Sequence, residues 1–354
     1  MFLNLLYCIG LIGVGFICSL PMLYSLSKTI SFEYTVKKDV WTYMWLLSLV
    51  FVLGLYFILP DFHDMIHEFE CGKTLVVFIL SAFIYVAFLI EVRWLFYVTM
   101  AISSAIVAFL FPDTGLIFEG YLPFWVEKLI VFTFVFFITF FIKILNGMFT
   151  IFPIFVLSGL LGMSFISMLG GAPLFFGLLA SLLIGMWLAF LRFNYFGEIA
   201  LNEGACASAG FLLAVFFVQG AIELSGPSML VLLSYLVAEV LWVLIRRFLW
   251  RIKEQELYYN TAYFVCYTKD ITSHAIMVSI VKIGIINVIF SCFQLYAPNP
   301  FSIPVFALAV NLWLLNILYH ASENNLSFSR TNENFFEELK NEFNVVKETL
   351  KRRK

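Results

Sequence analysis

The chain is a succession of apolar runs, each about as long as a bilayer is thick, separated by breaks too short to hold a soluble domain. A helix needs about 20 apolar residues, within a range of about 17–25, to cross the hydrocarbon. Eleven runs meet this requirement: 3–24, 41–60, 74–90, 94–111, 129–145, 148–169, 173–191, 206–223, 227–245, 275–296 and 301–319. The shallowest divisions fall at 90–94 and 145–148, where the apolar run is barely interrupted. Hydrophobic residues make up 62% of the chain and charged residues 12%. A soluble domain holds about 45–50% and about 25% respectively, so the composition points to lipid. The 43 Phe, 16 Tyr and 8 Trp suit lipid-facing surfaces and interfacial belts. The expected fold is all-α: one polytopic membrane domain of about eleven transmembrane helices over 1–321, followed by a polar tail over 322–354.

Lys and Arg in short loops set orientation. With the N-terminus outside, Lys28, Lys37, Lys38, Arg93, Arg192, Arg246, Arg247, Arg251, Lys253 and Lys269 fall inside, with the terminal run Lys351-Arg352-Arg353-Lys354. The outside keeps only Lys73 and Lys128 and is otherwise acidic, with Asp61, Asp64, Glu68, Glu70, Asp113, Glu119 and Glu127. A miscount by one span would scramble this separation. The C-terminal tail is therefore expected in the cytoplasm. In it Leu339, Phe343, Val346 and Leu350 recur at helical spacing among Glu and Lys, a pattern for a solvated end helix, a membrane-surface helix or a partner-binding one.

No basic residue precedes the apolar stretch from Phe2 to Leu23 and no small-residue cleavage site follows it, so it is read as a retained span rather than a leader. The six Cys form no C-x-x-C pair, which removes a zinc or redox motif. The formal net charge of −2 gives no overall basicity for nucleic acid. No P-loop, dinucleotide fingerprint, H-E-x-x-H or G-x-S-x-G occurs. His63 and His67 would share one face of a helix, but no third ligand is specified, and no metal site is assigned.

Three blocks carry a resemblance. The first runs from Phe193-Asn194-Tyr195 through Leu201-Asn202-Glu203-Gly204 to Gly210-Phe211; the second is Glu239 to Arg246-Arg247; the third is Ile138-Thr139 through Lys143 to Asn146-Gly147. In order and spacing they resemble the polyprenyl-phosphate sugar-1-phosphate transferases, glycosyltransferase family 4, which include the muramoyl-pentapeptide and N-acetylglucosamine phosphate transferases. The likeness covers roughly residues 85–320. It implies eleven spans in a bacterial inner (plasma) membrane with a cytoplasmic active face. It also implies transfer of a sugar phosphate from a UDP-sugar to undecaprenyl phosphate, in cell-envelope polysaccharide synthesis, with magnesium as the cofactor of an active enzyme. On the family pattern F-N-x-x-P-A-K-I-F-M-G-D-x-G-S-x-x-x-G-F, with one residue dropped before it, Glu203 falls on the aspartate and Gly210-Phe211 on the closing pair, and Glu239, Arg246 and Arg247 match D-x-x-x-x-x-x-R-R.

The departures concern the chemistry. Phe140 and Lys143 replace two asparagines of the family's third motif, and Asn146 and Phe149 replace its two aspartates. The adjacent Asp-Asp expected near 83–90 has no counterpart in Phe88-Leu89-Ile90, and Thr261-Ala262-Tyr263-Phe264 stands where a histidine-rich motif is expected. Sugar-phosphate transfer needs charge neutralised on a diphosphate, by magnesium held on carboxylates. Lys143 adds a fixed cation in the same region, but only as a point charge. The catalytic candidates are then Glu203, Glu239 and Asn146, and the substrate-binding candidates Lys143, Asn194, Arg246 and Arg247. Glu239 is an intramembrane acid that needs a partner or a cavity; Lys282 or an arginine would serve as that partner.

Three functional readings follow. The first is a non-catalytic or rewired relative, a pseudoenzyme without a metal or other cofactor, that binds a polyprenyl-phosphate lipid or assists an envelope-glycan enzyme. The second is an active transferase with Glu203, Glu239 and Asn146 in altered roles. The third is an envelope-glycan transporter, flippase or polymerase. The few mid-membrane polar residues weigh against the third.

Overall fold

The computed structural model describes residues 2–30, 39–58, 71–111, 123–142, 145, 150–170, 174–196, 198–222, 226–248, 261–263, 266 and 273–326. Every regular element among them is helical, and eleven long helices follow one another: α1 Phe2–Ile30, α2 Asp39–Ile58, α3 Cys71–Leu89, α4 Arg93–Leu110, α5 Phe124–Ile142, α6 Ile151–Gly170, α7 Leu174–Tyr195, α8 Glu203–Gly220, α9 Gly226–Phe248, α10 Ser273–Gln294 and α11 Ser302–Leu326. Among the described residues ten helices are long and apolar enough to cross a membrane, and α2 adds a shorter apolar stretch, Val40–Leu55. Each expected span has its helix.

The helices are ordered by burial. α6, α7 and α8 are enclosed over most of their length, while α1 and α11 are largely exposed. α8 is the hub. Its first half reads Glu203-Gly-Ala-Cys-Ala-Ser-Ala-Gly210, and from Gly204 to Gly210 every residue is buried. Lipid tails are as apolar as leucine, so helices in a bilayer associate through close packing, which small residues permit. A Cβ added at Gly204 would run into the Phe88 ring of α3, and one at Gly210 into Ile142 of α5. α3 and α5 are accordingly the main neighbours of α8, with α4 packed across both.

A second crossing joins the N-terminal span to the core. A Cβ at Gly15 would meet the backbone carbonyl of Leu182, and one at Gly185 the backbone of Ile12, Gly15 and Phe16. The two glycines let α1 and α7 touch backbone to backbone, in the most extensive helix pair of the fold. α2 makes few close backbone contacts and is held by long side chains instead. Trp41 Nε1 donates to Ser208 Oγ at 3.0 Å, Trp45 Nε1 to Ser81 Oγ at 2.9 Å, and Ser208 Oγ to the Ser81 carbonyl at 2.7 Å. α9 packs on α10 and α11 at the far side, and α10 also packs on α6.

The helices alternate in direction, so the C-terminal ends of α3, α5, α7 and α9 gather with the N-terminal ends of α6, α8 and α10. Arg93, Arg192, Arg246, Arg247 and His274 lie there, and this is termed the basic end. Several boundaries differ from the sequence reading, and three of them move charged residues into helices. α5 begins at Phe124, not 129, because Pro123 accepts its first backbone bonds. Glu127 and Lys128, expected in a loop, are buried inside its first turn, with Lys128 Nζ donating to the carbonyls of Phe109 (3.5 Å) and Phe111 (3.1 Å) at the end of α4. A cation there satisfies carbonyls that a helix C-terminus leaves open. α9 and α11 run on to Phe248 and Leu326, so Arg246 and Arg247 belong to the helix and the polar tail begins later than 322.

The glycine crossing gives a direct test. Gly185→Leu is expected to lower stability by at least ~1–3 kcal/mol, the cost of overpacking, whereas Gly54→Ala, with open space around its Cβ position, should leave the thermal unfolding midpoint in detergent unchanged.

Candidate functional site

Residues of the resemblance-bearing segments lie at or near the basic end, and Ile142 of the third meets Gly210 of the first. α7 finishes on Phe193-Asn194-Tyr195, and Asn194 is buried, 4% exposed. Its Oδ1 accepts from the Thr150 backbone N–H at 2.7 Å and its Nδ2 donates to the Ile199 carbonyl at 2.8 Å. Asn194 thus ties the α7–α8 connection to the start of α6. Thr150 has φ 82°, an unusual left-handed conformation for a β-branched residue. The bond from Asn194 and the Ile154 N–H bond to the Thr150 carbonyl (3.0 Å) hold it there. Glu91, with φ 63°, makes the corresponding reversal between α3 and α4. Glu91 lies in the shallow break of the apolar pattern at 90–94, where the chain reverses within a few residues and without glycine.

Glu203 opens α8. Asn202 is its N-cap, with Oδ1 accepting from the Ala205 N–H at 2.7 Å, and an acid in the first turn suits the positive end of the helix dipole. Its side chain is exposed. Directly beside it the Phe88 ring covers Gly204. The position where the resemblance places acidic residues is therefore filled by an aromatic ring. That ring also meets Phe96 edge-on, with centroids 5.6 Å apart.

Glu239 is fully enclosed in α9. Its Oε1 accepts from the Tyr235 hydroxyl at 3.1 Å, one turn back on the same helix, and its Oε2 from the Ala262 N–H at 3.2 Å. Both oxygens are thus engaged, and the Oε2 bond fixes the segment Thr261-Ala262-Tyr263, itself buried, against α9. The ion pair with Lys282 considered from sequence is not formed: Lys282 is exposed on α10. Arg246 is buried, with its guanidinium carbon 5.9 Å from the centroid of the Tyr319 ring of α11, and Trp242 packs on the same ring at 5.5 Å. Arg247 is half-buried. Lys143, Asn146, His63, His67 and the basic and tyrosine-rich stretch 249–260 lie outside the described residues.

A magnesium ion needs convergent oxygen ligands. Here one acid is exposed at a helix start and the other is enclosed with both oxygens bonded, and among the described residues no three His, Cys, Asp or Glu side chains come together. The described donor set does not fit such an ion.

Sequence reasoning missed one polar cluster. Asn311 Nδ2 donates to Ser234 Oγ at 2.7 Å and to Asn287 Oδ1 at 3.1 Å, joining α9, α10 and α11 at buried positions. Asparagines inside otherwise apolar runs are its signal, since such groups bond across helices.

Eleven packed apolar helices define a polytopic helical membrane protein. No family model matches the chain, and no curated protein does either.

Two substitutions test the assigned bonds. Asn194→Ala strands a buried donor and a buried acceptor and should cost about 2–3 kcal/mol of stability, seen as a lowered unfolding midpoint. Tyr235→Phe removes one bond to Glu239 and should cost about 1 kcal/mol by the same measurement.

Proposed function

We propose that the protein is a non-catalytic relative of the polyprenyl-phosphate sugar-1-phosphate transferases, retaining a lipid-phosphate-binding role in envelope-glycan synthesis without the transfer step. The carrying observation is the Phe88 ring packed on Gly204 beside Glu203. Contacts made by residues of the three segments support the reading. Ile142 meets Gly210, Asn194 holds the residue before α6, and Glu239 holds Ala262 where the family's histidine-rich segment falls. Yet the contacts between them are apolar packing and backbone hydrogen bonds. Phosphoryl transfer rests on positioned charge, and here the retained polar groups are used to hold helix ends.

In this reading the basic end faces the cytoplasm of a bacterial cell, by the positive-inside rule, with Arg246 and Arg247 near the headgroup level of a polyprenyl phosphate. An envelope-glycan enzyme is the expected partner. The protein reconstituted in nanodiscs with polyprenyl phosphate, labelled UDP-sugar and magnesium should retain the lipid phosphate and release no UMP above a protein-free control. Magnesium-stimulated formation of lipid-linked sugar, abolished by Glu203→Gln, would instead establish an active transferase.

A further inference from the structure

A groove of about 850 Å³ runs along the flank of the bundle between α1, α6, α7 and α10. Its lining is almost wholly apolar, with Leu161 and Phe165 of α6, Leu188 of α7, and Ile285 and Ile289 of α10 among the contributors. Phe165, Leu188, Ile285 and Ile289 are also exposed, so the groove is open to its surroundings. On α10 it extends from Val281 to Phe293, about 18 Å at 1.5 Å per residue, and reaches Tyr296 just beyond the helix. One leaflet of a hydrocarbon core about 30 Å thick spans about half that thickness. Hydrocarbon chains fill such a groove in a bilayer; polar chemistry at its rim decides which lipid stays.

Among the described residues near the groove, a cationic side chain stands toward the basic end. Lys282 shares an arc of α10 with Ile289 and Phe293, which lie two and three turns further along the same groove. It is exposed, and among the described residues it has no ion-pair or hydrogen-bond partner. His274 stands two turns before Val281, and Tyr195 one turn beyond Leu191, on the stripes that line the groove. The Tyr195 hydroxyl is 3.3 Å from His274 Nδ1. A lysine within a span extends its stem toward the interface, and an ammonium in hydrocarbon is costly unless it meets an anion. A cation, an imidazole and a hydroxyl at the head of an apolar trough complement a phosphate joined to acyl chains.

We propose that this groove is a binding site for an anionic glycerophospholipid, with its acyl chains along α6, α7 and α10 and its phosphate held by Lys282, His274 and Tyr195. None of α3, α5 or α8 lines the groove, so the site lies apart from the Phe88–Gly204 contact that carries the function proposed above.

The full chain reconstituted in nanodiscs of equal parts phosphatidylcholine and phosphatidylglycerol, then released into mild detergent, provides the test. Native mass spectrometry reads the lipids that remain bound. Phosphatidylglycerol should be enriched over its bulk share. Lys282→Gln should lower that enrichment about fivefold, equivalent to the ~1 kcal/mol of one lysine at an anionic surface, and Lys282→Arg should preserve it. Ile285→Trp, which fills the trough without changing charge, should reduce retention of both lipids at an unchanged unfolding midpoint. Retention in the bulk ratio by the wild-type protein, enrichment indifferent to Lys282→Gln and Ile285→Trp alike, or a lipid-free dimer would overturn the proposal. Should Lys282→Gln not fold, the wild-type ratio and Ile285→Trp still decide it.

Discussion

Close backbone approach through residues without bulk is the constraint on which the architecture rests. Water drives soluble helices together by excluding their apolar faces, but a bilayer supplies no such difference between protein and surroundings. What remains is contact area and the occasional hydrogen bond. The run from Gly204 to Gly210 gives α8 so slim a first half that α3 and α5 can both lie directly on it. Phe88 and Ile142 then serve as the large partners that fill the space small residues leave. The same logic governs Gly15 and Gly185 on the opposite side of the core. Helices lacking such residues are joined by reach instead, as the tryptophans of α2 show.

The polar groups within the bundle fall into two uses. Ser81, Ser208, Ser234, Asn287 and Asn311 tie helices together at depth. Asn194, Asn202, Glu203 and Glu239 shape helix ends, and these include several residues whose identity suggested chemistry. Asn194 and Glu239 are both buried and fully occupied with backbone donors, backbone acceptors and a tyrosine hydroxyl. A carboxylate enclosed in this way contributes a fixed turn geometry, and Thr150 illustrates what such fixing sustains: a conformation its side chain disfavours, held by a neighbour's amide.

The fold was legible in the sequence because its signal is length and polarity, which a bilayer reads almost directly. All eleven spans and the abrupt turn at Glu91 could be placed. Boundaries shifted where charges sat inside helices. Glu127 and Lys128 looked like loop residues because the carbonyls of Phe109 and Phe111 that receive Lys128 come from another helix, invisible to a linear pattern. The partner of Glu239 was misjudged for the same reason: an opposite charge is conspicuous in a sequence, whereas the backbone N–H of Ala262 is not. The candidate site was legible only in part. Blocks that resemble a family motif could be marked, but whether Phe88 covers Gly204 depends on the register of α3 against α8, which no local pattern encodes.

The glycine contact between α1 and α7 has a consequence for biogenesis. A ribosome delivers α1 to the membrane ahead of α7, and five further spans must be inserted before the surface it fits has been synthesised. Throughout that interval Gly15 presents a notch with nothing seated in it, and the early span has to be tolerated as a solitary helix or shielded by the insertion machinery. Completion of the N-terminal third of this protein is therefore a late event in its assembly, timed by the arrival of Gly185.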